Sequence, residues 1–394
     1  MLTQRLQQKR ILSIDLLRGL VMIIMALDHT RDFFHVHAFT QDPLNPATTN
    51  TALFFTRWIT HFCAPTFVLL SGASVYLQSL RKSKKELSLF LIKRGVWFIL
   101  FEIIVFNFAF SFDIHYSTIG LQVIWAIGIS MILLAFMIRF PFGVIFIAGL
   151  LIVLFHNLLD LYEAGNQQIP VWYSFFHQPR LIPITKEHNL FVMYPFLPWF
   201  GLMMMGYCFG KLISGLDAAR RKALLIKIGS GLILFFIVLR ATNWYGNPVL
   251  WTSQKDLLDT AFSFLGTQKY PPSLLYMCMT IGPAILFMAF FENAKGWWAK
   301  IISVYGRVPF FYYILHFYLI HLLCMLLFLI RGHSFADGIS NAVLVPYFII
   351  PGEGYSLPVV YIIWAFIVVS LFPLCNWYDQ YKSNHKDKAW LGYL

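Results

Sequence analysis

Charge is the property of which this sequence has least. Only 12% of its 394 residues are Asp, Glu, Lys or Arg, whereas soluble globular domains contain about 25%. Long apolar runs take the place of the missing charges, since 59% of the residues are hydrophobic and the mean hydropathy is +0.67. This composition excludes a cytosolic enzyme, a disordered chain and a nucleic-acid-binding module. It predicts that most of the protein lies in a lipid bilayer.

Clustered cysteines and a signal-peptide cleavage site are also missing. The five cysteines lie in or beside apolar runs, without a C-x-x-C pair or a Cys/His cluster. We therefore expect neither a disulfide framework nor a metal site. The first apolar run contains Arg18 and Asp28 and ends without a small-residue cleavage motif. That run is predicted to be a retained first helix.

Ten segments are long and apolar enough to cross the hydrocarbon core, which takes about 20 helical residues. We predict an all-α polytopic membrane protein with about ten transmembrane helices, forming a single domain over residues 1–394. The ten segments lie at approximately 12–34, 53–80, 94–112, 120–138, 141–159, 190–210, 223–240, 271–292, 308–330 and 355–377.

The distribution of Lys and Arg orients these segments. Most of the 30 basic residues lie in the loops on the side that also holds both termini. The opposite loops contain few, although they include the two longest connections, near 160–189 and 241–270. Because cytoplasmic loops collect Lys and Arg, both termini are expected in the cytoplasm and the protein in the cytoplasmic membrane. The net charge of +12 thus has a topological explanation. Among the residues expected on the inner side are Arg5, Lys9, Arg10, Arg81, Lys85, Arg94, Arg307, Lys382 and Lys386.

The first segment holds ionisable residues that are costly in lipid. A functional site is the default interpretation of such residues. Arg18 and His29 are eleven residues apart, about three turns, so they share a helix face and lie about 16 Å apart along the axis. They belong to a larger charged set that consists of Asp15, Arg18, Asp28, His29, Arg31 and Asp32.

Two carboxylates flank His29 in the sequence. Asp28 is adjacent to it, and Asp32 lies three residues later on a neighbouring face. A carboxylate in this position orients an imidazole or stabilises its charged form, which makes the histidine an effective general base. The alternative is a buried ion-pair cluster that fixes the register of the helix.

Three further histidines, His61, His316 and His321, lie within predicted membrane segments. His61, in the second segment, is about as deep as His29, so the two are expected to face one cavity open to the outside. Alternatively, His61 bonds a neighbouring carbonyl. In the ninth segment, His316 and His321 are five residues apart and lie on different faces. Because His316 follows Arg307 by only nine residues, we expect it in the inner half and His29 nearer to His61.

Five motifs occur along the chain in the same order as in a known family, which the sequence therefore resembles. They are Ser13-Ile-Asp-Leu-Leu-Arg-Gly with Asp28-His29, Arg57 through Gly72, Tyr194-Pro-Phe-Leu-Pro-Trp-Phe-Gly, Lys269-Tyr-Pro-Pro-Ser-Leu-Leu and Gly306-Arg-Val-Pro-Phe-Phe-Tyr-Tyr-Ile-Leu-His. Together they resemble the catalytic domain of the heparan-alpha-glucosaminide N-acetyltransferase family, in particular its bacterial members. The first two motifs are also similar to membrane acyltransferases that O-acetylate bacterial surface sugars.

The resemblance implies acetyl-CoA as a donor from the cytoplasm and an extracytoplasmic sugar or glycan as the acceptor. Arg18 would hold the phosphate end of CoA, with Ser71 and His316 as further cofactor contacts. The sequence Ser71-Gly72 also suits a close approach between helices. His29 would act where the acetyl group transfers, and its catalytic partners would be Asp28, Asp32 and His61.

The long outer loops are expected to cap the acceptor site. They are rich in Trp, Tyr, Pro and Asn, and aromatic platforms with amide donors suit sugar rings. The substrate-binding candidates are Arg57, Trp199, Asn243, Lys269 and Tyr270.

Other functions and several details stay open at the level of sequence. Intramembrane carboxylates and histidines also mark proton-coupled transporters of small polar solutes, and a membrane scaffold is a third alternative. The identity of the acceptor, N- against O-acetylation, the length of the acyl chain and a homo-oligomeric state are undetermined.

Overall fold

A computed structural model describes residues 11–166, 168–340, 342–385, 387–388 and 391. The described chain is mostly helical. Its helices are α1 (Leu12–Phe34), α2 (Thr51–Thr60), α3 (Cys63–Ser79), α4 (Lys84–Phe101), α5 (Asn107–Ser111), α6 (Val123–Met137), α7 (Phe142–Phe155), α8 (Leu158–Gly165), α9 (Val171–Phe176), α10 (Phe196–Ser214), α11 (Ala218–Thr242), α12 (Leu257–Leu265), α13 (Leu274–Phe290), α14 (Trp297–Arg307), α15 (Pro309–Ile330) and α16 (Leu357–Asn384), with a π-helical turn at Glu102–Phe106 and a 3-10 turn at Ala336–Gly338.

Each of the ten predicted segments contains a helix, and α1 matches the predicted 12–34. By length and composition, five helical segments of the described chain can cross a membrane, or six if α7 and α8, which are bent by 46°, form one span. Helices α6 and α13 are apolar but shorter. Ten crossings and the inward orientation of both termini therefore stay predictions. The five long segments are Thr51–Ser79, Phe196–Ser214, Ala218–Thr242, Pro309–Ile330 and Leu357–Asn384.

The basic residues of the N-terminal segment, Arg5, Lys9 and Arg10, lie outside the described residues, as does Lys386. We refer below to the end of the bundle at which α1 begins as the Arg18 end. The opposite end carries the two long connections and is the loop end.

Besides the helices, which agree with the predicted all-α class, a small three-stranded sheet that the sequence did not predict forms at the loop end. Its strands are β1 (Thr118–Leu121), β2 (Arg180–Pro183) and β3 (Asn189–Val192), in the order β1-β3-β2. Strand β3 pairs in parallel with β1 and in antiparallel with β2. Backbone groups outside helices still need hydrogen-bond partners, and the sheet supplies them where the chain leaves the bundle.

Helix α1 lies at the centre of the bundle. It contacts α14, α15 and α16 as well as α2, α3 and α13, and sixteen of its residues are buried. An element packed on so many sides keeps polar side chains away from lipid, so its charged groups meet protein partners instead.

Helices α3 and α10 approach closely at Gly72, as the Ser71-Gly72 pair suggested. A Cβ atom built on Gly72 overlaps the backbone carbonyl oxygen of Met203 and lies 2.7 Å from the amide nitrogen of Tyr207. Backbone cannot give way as a side-chain tip can, so only glycine fits at this contact.

We expect Gly72→Ala to lower the free energy of unfolding by about 1–3 kcal/mol, the usual cost of forcing an extra carbon into a packed interior. The melting temperature in detergent measures this effect. Gly231→Ala in α11 is the matched control, because a Cβ there meets nothing within 4 Å. Equal melting temperatures for the two variants would contradict the close contact.

Candidate active site

The Arg18–His29 face of α1 borders a cavity of about 260 Å³. Arg18, Met22 and Met25 line it at successive turns, and His29 follows one turn later. Because α1 is one continuous helix, Arg18 and His29 share a face as the spacing predicted, but His29 itself does not line this cavity. The remaining lining is mostly apolar and comes from α3, α4, α6 and α15.

The two ends of this cavity differ in chemistry. Four basic side chains line it, namely Arg18, Arg94, Arg307 and Lys382. Tyr313 also lines it, and its ring lies 6.4 Å from that of His29, edge to face. The cavity thus joins a basic region to the neighbourhood of His29. It lies on the Arg18 side of His29, and a cavity at His29 that opens to the loop end stays a prediction.

Arg18 is held in place at the basic region. Its guanidinium donates to the carbonyl oxygen of Gly306 at 3.1 Å and to Ser74 Oγ at 3.2 Å, and it lies 3.7 Å from the carboxylate of Asp15. Ser71, another expected cofactor contact, lines the same cavity. These contacts fix the direction of the Arg18 side chain while it still borders the cavity.

His29 is hydrogen-bonded to His316, its Nδ1 lying 2.8 Å from His316 Nε2. His316 Nδ1 lies 2.9 Å from the carbonyl oxygen of Tyr312. A carbonyl only accepts, so neutral His316 carries its proton on Nδ1 and accepts at Nε2. His29 must then donate from Nδ1, which leaves its Nε2 with a lone pair. No hydrogen bond to Nε2 occurs among the described residues, and this nitrogen is the one that can take a proton.

The expectation that His29 lies nearer to His61 than to His316 is wrong. His29 bonds His316, and one turn further along α1 the carbonyl oxygen of Phe33 accepts from Cys324 of α15. Helices α1 and α15 therefore run in the same direction, with His29 and His316 at one level. Arg307 ends α14 whereas His316 lies on α15, so the nine positions between them do not form one continuous helix from which a depth follows.

The other two histidines lie outside this pair. His61 lies at the break between α2 and α3, where its backbone carbonyl accepts from the hydroxyl of Tyr276 and its ring packs edge-on against that tyrosine, while its Nδ1 is buried without a hydrogen bond to any described residue. His321 lies within 3.0 and 3.1 Å of the carbonyl oxygens of Ala109 and Tyr347. As expected from their spacing, only one of the two α15 histidines joins the site.

The carboxylates beside His29 bind arginines instead of the imidazole. Asp28 accepts from Arg57 at 2.6 and 2.5 Å and from Arg31 at 3.1 Å. Asp32 accepts from Arg31 at 2.5 Å. Adjacent residues on a helix point about 100° apart, so Asp28 turns toward α2 while His29 faces α15. The prediction that Asp28 or Asp32 orients His29 is therefore wrong, and His316 orients it instead. The carboxylates form the ion pairs that the alternative interpretation predicted.

Several expected acceptor contacts gather on the loop-end side of this cluster. Lys269 and Tyr270 are close enough to interact electrostatically with Arg57 or Asp28. The Tyr270 ring packs edge-on against Tyr194 at 5.2 Å. The buried ring of Trp199 lies 5.3 Å from Tyr194 on its other side. This expected surface is therefore partly assembled.

Asn243 lies apart from this group. It ends α11 in a left-handed conformation with φ of 52°, and its side chain bonds the backbone oxygen and nitrogen of Trp251 at 2.8 and 3.1 Å. Its amide therefore holds its own loop together.

Two contacts of the site could not be predicted from the sequence. Lys382 of α16 lines the cavity, but a basic residue near the end of a helix looks the same in the sequence whether or not it reaches a cavity. The carbonyl of Tyr312, which sets the tautomer of His316, belongs to the backbone and leaves no sequence signal.

The chain was also compared with known proteins. No curated protein matches it in sequence. Residues 10–241 match the family described as Heparan-alpha-glucosaminide N-acetyltransferase, catalytic. The match covers more than half of the chain, from the start of α1 almost to the end of α11, and thus includes Arg18, His29 and Arg57. His316 and Lys269 lie beyond it. The chain belongs to the heparan-alpha-glucosaminide N-acetyltransferase catalytic-domain family.

Proposed function

We propose that this membrane protein transfers an acetyl group from acetyl-CoA to an amino or hydroxyl group of a sugar or glycan, with His29 as the general base. The observation that carries the proposal is the cavity itself, which is lined by a basic region that includes Arg18 and also by Tyr313, whose ring lies 6.4 Å from that of His29. Membership of the family supports transferase activity and acetyl-CoA as the donor.

The lining of the cavity suits the parts of acetyl-CoA in order. Phosphate groups prefer charge-assisted hydrogen bonds from Arg and Lys, which the basic region offers. The acyl-pantetheine arm is a narrow chain that suits an apolar wall with a few polar groups, such as Met22, Met25 and Ser71. In this arrangement the thioester lies toward Tyr313, close to His29. The donor enters from the Arg18 end, which we place in the cytoplasm.

The chemistry then uses the free nitrogen of His29. An acceptor amine or hydroxyl that attacks the thioester carbon must lose a proton, and His29 Nε2 accepts it. The carbon–sulfur bond then breaks, and the imidazolium returns the proton to the departing CoA thiolate. His316 holds the imidazole ring and its tautomer, so it is a positioning residue.

The acceptor approaches from the loop end in this proposal. Lys269 and Tyr270 lie close to the Asp28–Arg57 pair, and the two long connections contain α9, α12 and strand β2. Aromatic rings pack on the apolar faces of sugars.

The transporter alternative receives less support. A proton relay needs a carboxylate that exchanges protons with the histidines, and Asp28 is instead bound by Arg57 and Arg31.

Incubation of the purified chain with labelled acetyl-CoA tests the proposal directly. Glucosamine-terminated oligosaccharides and their N-acetylated counterparts separate amino from hydroxyl acceptors. Labelled product with either acceptor supports the proposal. If acetyl-CoA neither binds nor is consumed with any acceptor, the transferase function is wrong.

Arg18→Ala is expected to weaken CoA binding about tenfold to a hundredfold. A lost charge-assisted hydrogen bond is worth roughly 1.5–3 kcal/mol, and Arg18 contributes little apolar packing. Titration calorimetry in detergent measures the affinity. The matched control is Arg220→Ala, which removes the same charge from an exposed side chain outside the cavity. Equal affinities in both variants would exclude a role for Arg18 in CoA binding.

A further inference from the structure

Three side chains with metal-binding groups gather at the loop end, away from the cavity. Asp160 and Glu163 lie three residues apart on α8 and so share a helix face. His177 follows α9 and turns back toward them. One ligand atom from each of the three lies within 4.8 Å of the others, and His177 is fully buried. No sequence motif marks this cluster, because Glu163 and His177 are fourteen positions apart.

The contacts within the cluster resemble those of a metal-bound histidine. His177 Nδ1 lies 2.6 Å from Glu163 Oε1, and His177 Nε2 lies 3.1 Å from His156 Nδ1. Metal-ligating histidines almost always bond a second group through their other ring nitrogen, which fixes the orientation of the ring. Buried His156 supplies that second group here.

A further buried polar group lies beside the carboxylates of this cluster. Tyr173 is only 5% exposed, and its hydroxyl is close to the carboxylate of Glu163 but makes no hydrogen bond of standard geometry within the described part of the chain. Burial and the neighbouring carboxylate of Glu163 raise the pKa of Tyr173, and Asp160 adds to the effect. An unpaired buried hydroxyl costs stability, and a bound cation or its water would satisfy it.

We propose that Asp160, Glu163 and His177 bind one divalent transition-metal cation of the Zn²⁺ type. Carboxylate oxygens and an imidazole nitrogen form a ligand set that Zn²⁺ accepts, with metal–ligand distances of about 2.0–2.2 Å. The nitrogen ligand favours such a metal over Ca²⁺ or Mg²⁺, which prefer all-oxygen sites. Three protein ligands leave one position for water or for the Tyr173 hydroxyl.

A cation bound at Asp160, Glu163 and His177 would also affect the position of α13. Asn157 donates to Asp160 at 2.7 Å and accepts from the backbone nitrogen of Leu274 at 2.9 Å. Leu274 is the first residue of α13, four residues beyond Tyr270. A cation that fixes Asp160 therefore also fixes the start of α13 next to the expected acceptor surface. This inference stands independently of the proposed acetyl transfer.

Metal content and affinity test this proposal on the full chain, purified without a polyhistidine tag and stripped with EDTA. We expect one Zn²⁺ per chain by mass spectrometry of the metal content, binding by calorimetry and a rise in the melting temperature with ZnCl₂. Glu163→Gln and His177→Gln should each lose that binding. The matched control is His333→Gln, which removes a histidine from an exposed His–Glu pair at the loop end and should bind Zn²⁺ as the wild type does.

Three results would overturn the proposal. They are absence of Zn²⁺ binding by the wild type, equal binding by the Glu163→Gln and control variants, and a preference for CaCl₂ over ZnCl₂. In the first case the cluster is only a hydrogen-bonded chain. Should His177→Gln fail to fold, Asp160→Asn provides the same comparison, since the amide keeps the shape of the side chain but binds metal poorly.

Discussion

Replacement of His29 by alanine is expected to lower the rate of acetyl transfer by about 10²–10⁴-fold, the usual contribution of one general base. The structure leaves Nε2 of His29 as the proton acceptor because Nδ1 donates to His316. A neutral imidazole also has the proton affinity best matched to this task near neutral pH. Transfer of labelled acetyl groups measures the rate. CoA affinity should stay close to that of the wild type, since Arg18 and the basic region are unchanged.

Variants of His316 distinguish a residue that positions His29 from a residue that takes part in proton transfer. His316→Ala should slow transfer by about 10- to 100-fold, since a misplaced catalytic group costs that much. His316→Gln should recover part of the rate, because the amide oxygen of glutamine still accepts from His29 Nδ1. A merely structural role would give both variants similar rates. Wild-type transfer by His29→Ala would show that the mechanism is wrong.

Asp28→Ala is expected to destabilise the protein by about 3–5 kcal/mol, the usual cost of removing one partner of a buried ion pair. The variant leaves the Arg57 guanidinium buried between α1 and α2 without its carboxylate, and their side chains are only 15% and 10% exposed in the native pair. The melting temperature in detergent should fall clearly.

A double variant makes this prediction specific. In Asp28→Leu/Arg57→Leu both charges are gone, and replacement of a buried ion pair by apolar residues is often neutral. We therefore expect the double variant to be more stable than either single one, which is a coupling that only neighbouring residues show. Lys255→Ala, which breaks the exposed Lys255–Asp259 pair, should leave the melting temperature unchanged. Additive losses in the double variant would contradict the pairing.

Much of the architecture could be predicted from the sequence because lipid imposes one simple rule. Backbone groups in hydrocarbon must bond within the segment, so long apolar runs become helices. The bounds of α1, the helices in the other nine segments and the face shared by Arg18 and His29 all follow from hydropathy and the 3.6-residue period. The small sheet does not, because the four-residue strands depend on partners far along the chain.

The sequence by itself determined that the chain is a largely helical membrane protein with charged residues on one face of its first helix, because composition and periodicity are local properties. The tertiary structure decided which groups those residues meet. In the folded protein Asp28 pairs with Arg57, His29 bonds His316, and Asp160 and Glu163 lie beside His177. Partner choice depends on the relative height and rotation of packed helices, and these follow from contacts such as that of Arg18 with Gly306, between residues 288 positions apart.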